Sequence, residues 1–259
     1  MIDTLPPALA LAAAAAFGAV IGSFLNVVIY RLPLQKSIVW PSSACPHCAR
    51  ELMWYENIPV LSYLALRGRC RTCGAGISVQ YPLVEALTAI MFALAWWQYG
   101  PGLLLASRLV FGCALIVLFA IDLEHQLLPN AITLPGIVVG FVFSLFIGPG
   151  WLSSLIGIAV GAGVLWAIAE AYYRIRHEEG LGMGDVKMLA MVGAFLGWQL
   201  TLLTLMLASV SGTLIGMILI VTKRGGMQYA LPFGTFIALG AAVAATVGPQ
   251  VLAWYLGLL

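Results

Sequence analysis

Residues 125–169, HQLLPNAITLPGIVVGFVFSLFIGPGWLSSLIGIAVGAGVLWAIA, contain no Asp, Glu, Lys or Arg. A helix needs about 20 apolar residues to cross a bilayer. The run therefore predicts two helices, and Gly148-Pro149-Gly150 breaks it into a hairpin. Working outward, further charge-free runs cover 4–30, 86–107, 188–222 and 225–259. The 259-residue chain is 62% hydrophobic and only 8% charged, where soluble domains carry about 25% charged residues. That much apolar surface needs lipid as its solvent, so a soluble globule, a disordered chain and a collagen-like repeat are all excluded. A net charge of +2 gives no footprint for nucleic acid.

The fold class expected is an all-α polytopic membrane protein. Lys187 and the Lys223-Arg224 pair flank the 188–222 run. Basic residues collect on the cytoplasmic face, so the run must cross twice, with its weak break near Gly197. Eight helices follow, at 8–30, 83–99, 103–121, 131–148, 151–173, 187–198, 200–222 and 231–257. Asp3 is the only charge before the first run, which makes it a retained span rather than a cleaved signal. An outside N-terminus puts every Lys and Arg except Arg108 on or beside the cytoplasmic side. Trp96, Trp97, Trp151, Trp198 and Trp254 then fall at outer ends, as an interfacial belt does. The organisation read from this is a first span at 1–30, a cytoplasmic loop domain at 31–82 and a seven-helix membrane domain at 83–259.

Half of the basic residues lie in 31–82, against only Glu51 and Glu56 as acids, a surface suited to anionic headgroups of the bilayer. Within it stand Cys45-Pro46-His47-Cys48 and Cys70-Arg71-Thr72-Cys73, two C-x-x-C pairs. Paired thiolates on two tight turns suit a tetrahedral Zn2+ held by Cys45, Cys48, Cys70 and Cys73, a structural site for a loop too small to build a large core. Two disulfides are the alternative, disfavoured by a reducing cytosol. His47 reads as a solvated turn residue and Cys113 as a small packing residue.

Acids at the edge of lipid are functional candidates. Asp122 ends the third helix and Asp185 opens the sixth, and the sidedness puts both at the cytoplasmic boundary. Two carboxylates within reach of each other can share one proton and hold a water between them. Their helix ends suggest Asp185 as base and Asp122 as acid. Gly180, Gly182 and Gly184 leave the backbone before Asp185 open to an extended peptide. The bland alternative is a pair of helix caps.

At these residues the chain resembles the type IV prepilin peptidases, membrane aspartic proteases with a Gly-x-Gly-Asp motif. The resemblance rests on Gly22-Ser23-Phe24-Leu25-Asn26, the two Cys pairs, Glu56-Asn57-Ile58-Pro59, Tyr81-Pro82-Leu83-Val84-Glu85, Asp122 with Leu128-Pro129, and Gly182-Met183-Gly184-Asp185. It departs at Asn130 and Glu56, where the family often has Asp. The resemblance implies a bifunctional enzyme of the bacterial inner membrane, acting at its cytoplasmic face. Such an enzyme removes the basic leader of prepilins or type II secretion pseudopilins after Gly, then methylates the new N-terminus from S-adenosylmethionine. Asp122 and Asp185 would be its catalytic pair and Gly182 and Gly184 their supporting loop. No residues for the methyl donor can be named. Two other readings compete: a proton-coupled transporter with the aspartates as a relay, and a noncatalytic scaffold whose zinc loop binds a partner.

Overall fold

The computed structural model describes residues 6–178, 181–222 and 231–257. Asp3, Glu179, Gly180, Lys223 and Arg224 lie outside the described residues. Those described form helices and no strand, and they divide within one helix into two compact units, Met1–Val117 and Leu118–Leu259.

In the first unit, α1 (Pro7–Arg31) packs on α3 (Gln80–Tyr99), and the loop between them carries a 3-10 turn (Trp54–Glu56) and the short α2 (Leu61–Ala65). Small residues let the two long helices approach: a Cβ on Gly22 would stand 2.7 Å from Glu85 Cα. Asn26, buried at 4% exposure, donates to the Tyr81 carbonyl at 3.0 Å, and Glu85 accepts the Val60 N–H at 2.7 Å. The loop is thereby fastened to the start of α3. Arg108 lies with its guanidinium over the Tyr99 ring, 6.0 Å from the centroid.

The second unit takes the end of α4 (Leu103–His125), then α5 (Asn130–Ser144), α6 (Trp151–Arg176), α7 (Met183–Leu196), α8 (Trp198–Val221), α9 (Phe233–Thr246) and α10 (Gly248–Gly257). Its core is α7, buried from Met188 to Leu196 and packed against α5, α6, α8 and α9. A helix apolar on every face belongs in such a position. Gly157 and Gly161 of α6 let the two backbones meet, since their Cβ atoms would lie 2.6 Å from the carbonyl oxygens of Gly193 and Leu189. The Ser154 hydroxyl adds a buried hydrogen bond to the Ala194 carbonyl at 2.8 Å.

Each expected segment is a helix, with differences in bounds or length; the fourth stops at Ser144 rather than 148, where turns lead into Gly148-Pro149-Gly150. The third continues to His125, because the charged side chains that end the apolar run do not interrupt its hydrogen bonds: the Gln126 N–H still reaches the Asp122 carbonyl at 2.9 Å. The sixth begins at Met183, enclosing Asp185 in its first turn. The eighth breaks into α9 and α10, bent by 70°. Finally, among the described residues only α1, α4, α6 and α8 are long and apolar enough to cross a membrane, or five spans if α9 and α10 count as one. With 15 and 14 residues, α5 and α7 rise roughly 21–23 Å at about 1.5 Å per residue, short of a hydrocarbon core of about 30 Å.

Candidate active site and metal site

Asp122 occupies the last turn of α4, 4% exposed, and Asp185 the first turn of α7, 9% exposed. Their carboxylates lie close enough to act on each other electrostatically. The Asp122 Oδ2 accepts the Thr235 N–H at 2.8 Å, a donor in the first turn of α9 that also reaches the Pro232 carbonyl at 3.3 Å. Gly234 makes this possible: a Cβ there would stand 2.8 Å from Asp122 Oδ2 and 2.9 Å from Leu128 Cδ1. Gly184 is similarly confined, its Cβ falling 2.9 Å from Leu128 Cβ, and Gly182 caps α7, where its carbonyl accepts the Asp185 N–H at 3.1 Å. Leu128 therefore wedges between the two glycine turns that carry the carboxylates' neighbours. Beside it, Lys187 donates to Asn130 Oδ1 at 2.9 Å, tying α7 to α5.

Such an arrangement can hold one proton and one water between two acids. The base-and-acid asymmetry expected from helix ends meets a counterweight, because the first turn of α9 gives the Thr235 N–H to Asp122.

The four cysteine sulfurs lie within 4.8 Å of one another, with Cys45 Sγ and Cys73 Sγ 3.8 Å apart. Tetrahedral zinc with Zn–S near 2.3 Å separates its sulfurs by about 3.8 Å, so the donor set fits that ion. Two matching knuckles build it. The N–H of Ala49 bonds to the Cys45 carbonyl and that of Gly74 to the Cys70 carbonyl, both at 2.9 Å. Ala49 and Gly74 both take positive φ, 57° and 70°. N–H groups of Cys73 and Thr72 draw the Cys70 thiol down to about 6, and those of Cys48 and His47 lower Cys45. Despite an N–H from Ala75, Cys73 is pushed up to about 11 by loss of solvent and by the sulfurs around it. A cluster that favours some thiolates and cannot ionise all of them calls for a cation. Glu56 supports the first knuckle: its carboxylate accepts the Met53 N–H at 2.9 Å and takes Arg50 on both oxygens at 2.7 Å. The Met53 N–H and then Arg50 hold it below the usual carboxylate range.

Known proteins place the chain. Residues 16–99 match the Bacterial Peptidase A24 N-terminal domain, and residues 109–217 match the Type IV leader peptidase family. A prepilin leader peptidase/N-methyltransferase of Pseudomonas putida is 37% identical, the alignment covering 95% of this chain and 94% of that protein. The chain belongs to the type IV leader peptidase family. Proteins of the same name from Aeromonas hydrophila and Myxococcus xanthus (strain DK1622) are 38% and 44% identical, over 93% and 81% of this chain and 91% and 63% of theirs. No solved structure matches it.

Within this leader peptidase family member, sequence reading passed over Gly234 and Thr235. Their signal was a helix start, Pro232-Phe233-Gly234-Thr235, but nothing local ties it to an aspartate 113 positions away.

Proposed function

We propose that this chain is a membrane-embedded aspartic endopeptidase that removes the leader of type IV prepilins or type II secretion pseudopilins after Gly, then N-methylates the new N-terminus. The observation that supports it most is the gathering of the Asp122 and Asp185 turns about Leu128, which packs on both Gly184 and Gly234, with a backbone donor fixing the Asp122 carboxylate. One carboxylate, ionised, takes a proton from the water between them as it attacks the scissile carbonyl. Its protonated partner gives a proton to the carbonyl oxygen. Collapse of the tetrahedral adduct returns a proton to the leaving amine. Gly182 keeps the approach to Asp185 open for an extended peptide, whereas the space a side chain would take at Gly184 is filled by Leu128.

Around this site, the eight helical segments expected from sequence place the N-terminus outside and the aspartates at the cytoplasmic face of the bacterial inner membrane. The basic residues support that arrangement, since every Lys and Arg except Arg108 falls on or beside that face. Cys45, Cys48, Cys70 and Cys73 hold a structural Zn2+, which supplies folding energy to the 31–82 loop. S-adenosylmethionine supplies a methyl group activated on a sulfonium sulfur, and no residues of this chain are assigned to it. The transporter alternative has no comparable support: the relatives are named as peptidases, and both aspartates sit at helix ends rather than midway along a span.

Asp122→Asn and Asp185→Asn, made separately and assayed on a prepilin in detergent, test the reading. Each is expected to lower leader removal by about 10³-fold or more with helix content intact. Cleavage retained by either variant overturns it.

A further inference from the structure

The 31–82 loop does not stay beyond the helix ends. Its deepest fastening is Val60, whose N–H donates to Glu85 Oε2 at 2.7 Å, and the same carboxylate meets the Ser23 hydroxyl. Ser23 precedes Arg31, the last residue of α1, by eight positions (23 to 31). Val60 therefore lies roughly 12 Å back along that helix, at about 1.5 Å per residue. The headgroup layer of a bilayer is only about 5–8 Å thick. Because α1 is long and apolar enough to cross a membrane, the level of Val60 falls inside the leaflet at the Arg31 end. The two helices present apolar side chains outward there. Phe24 is 49% exposed, and Leu83, set at the same level by the Asn26–Tyr81 and Gly22–Glu85 contacts, is 64% exposed.

Two features of residues 58–62 suit that depth. The first is how their polar groups are satisfied, since backbone N–H groups in lipid must find partners within the protein. The Ile58 N–H donates to Ser62 Oγ at 3.0 Å, Pro59 has no N–H, and Val60 uses Glu85. Those of Leu61 and Ser62 reach the carbonyls of Pro59 and Ile58 at 2.6 and 3.0 Å. The Leu61 bond closes a γ-turn on Val60, a β-branched residue at φ 60°, and the buried Glu85 holds this strained turn in place. The second feature is what the segment exposes. Leu61 and Leu64, three apart and so on one face of α2, are each 64% exposed. Among acyl chains they continue the apolar surface of Phe24 and Leu83. Nearer the end of α1, Arg31 gathers the 37–42 segment by donating to the Ser37 and Pro41 carbonyls at 3.1 and 2.7 Å. Trp40, 72% exposed, is thereby held at the level of the headgroups, where tryptophan is favoured. Lys36, Arg67 and Arg69 are exposed, and among the described residues no acid pairs with them.

We propose that α2 anchors the 31–82 loop in the bilayer, with Leu61 and Leu64 among the acyl chains, Trp40 at the headgroups, and Lys36, Arg67 and Arg69 on anionic lipid phosphates. The partner is the lipid leaflet at the Arg31 end, the cytoplasmic one on the sidedness proposed above. Charge complementarity and continuity with the lipid-facing sides of α1 and α3 both favour it. The anchor keeps the four-cysteine knuckles at the membrane surface, and it does not depend on the roles given to Asp122 and Asp185.

The test uses the full-length protein, purified without chelator, in vesicles of phosphatidylethanolamine and phosphatidylglycerol. Photoreactive benzoylphenylalanine replaces Leu61 in one variant and Phe24 in another, both exposed positions. Phe24 is the reference for lipid contact at this level. Lipid adducts are expected at Leu61 at a yield comparable to that at Phe24. Adducts at Leu61 to protein alone, whether a second copy or another part of the same chain, overturn the proposal. So does an absence of lipid adducts at Leu61 while Phe24 gives them. Absence at both positions removes the premise that α1 lies in lipid at this level, and the proposal with it. A second measurement reads the cations without touching the apolar face. With Lys36→Gln, Arg67→Gln and Arg69→Gln together, the preference of the protein for phosphatidylglycerol over phosphatidylcholine in detergent micelles is expected to fall about fivefold for each cation removed. An unchanged preference overturns the headgroup contacts.

Discussion

The four-cysteine loop and the aspartate site reach their geometry by opposite routes. In the loop, each pair of ligands is three residues apart, and the turn between them is closed by N–H bonds within the same few residues. Cys45 and Cys70 begin knuckles offset by 25 positions (45 to 70), and the offset carries through Ala49 to Gly74 and through the isolated bridges Ala44–Glu51 and Arg69–Gly76. The aspartates are 63 positions apart (122 to 185) and share no local motif. What brings them together is the burial of α7 among four helices, with glycines set where a methyl group would collide with backbone or carboxylate. A local motif stores its geometry in spacing, whereas a site between helices stores it in packing.

Removing ligands should separate the two regions most sharply. Cys48→Ser with Cys73→Ser leaves two thiols, too few to close a tetrahedral site, and apparent zinc free energies in small domains run to about 10–16 kcal/mol. The native protein, purified without chelator, is expected to carry one zinc per chain. The double variant is expected to carry none, and to become readily cleaved by proteases within 44–76 while its helix content holds. Native protein without stoichiometric metal would break the contrast on the loop side.

A smaller effect probes the packing side. Gly234→Ala puts a methyl 2.8 Å from Asp122 Oδ2, so the carboxylate or the start of α9 must shift. Misplacement by about 1 Å in a catalytic site costs about 10² in rate, and overpacking typically costs 1–3 kcal/mol, so roughly 2 kcal/mol of stability should go as well. Leader cleavage by Gly234→Ala is expected to fall about 10²-fold with zinc content unchanged. Full activity would mean that the Thr235 N–H does not position Asp122.

How much could be read in advance follows the same division. Charge-free runs fixed the helical segments because apolar length is itself the physical requirement, and Gly148-Pro149-Gly150 and Gly197 mark real breaks. The Cys sites were legible because their spacing is their structure. Asp122 and Asp185 were legible as candidates, since acids at a lipid boundary are costly, but their partners were not. Thr235 reaches Asp122 through a helix start that looks like any other in sequence. Charges at Asp122 and Glu124 suggested an early end to α4, although Asp122 is taken up by the Thr235 N–H and Glu124 stands exposed, neither breaking the backbone ladder. The bend between α9 and α10 is legible in Gly248-Pro249, the same dipeptide that breaks the 125–169 run, but apolar length alone reads 231–257 as one span.

The knuckle equivalence can be sharpened by its smallest asymmetry. Gly74 and Ala49 occupy the same place in their turns, both at positive φ, yet only one is the residue that adopts that conformation without strain. A left-handed alanine costs roughly 1 kcal/mol, and the extra freedom glycine adds to the unfolded chain offsets about half of it. Ala49→Gly is therefore expected to strengthen the loop by about 0.5 kcal/mol, read as an increase of about twofold in the chelator concentration that strips half the zinc. Gly74→Ala should move it the other way by a similar or larger factor. Nothing stands within 4 Å of a methyl at Gly74, so that loss is conformational alone. Changes of equal sign in the two variants would mean that the knuckles are not equivalent, and that something beyond backbone strain sets one of them apart.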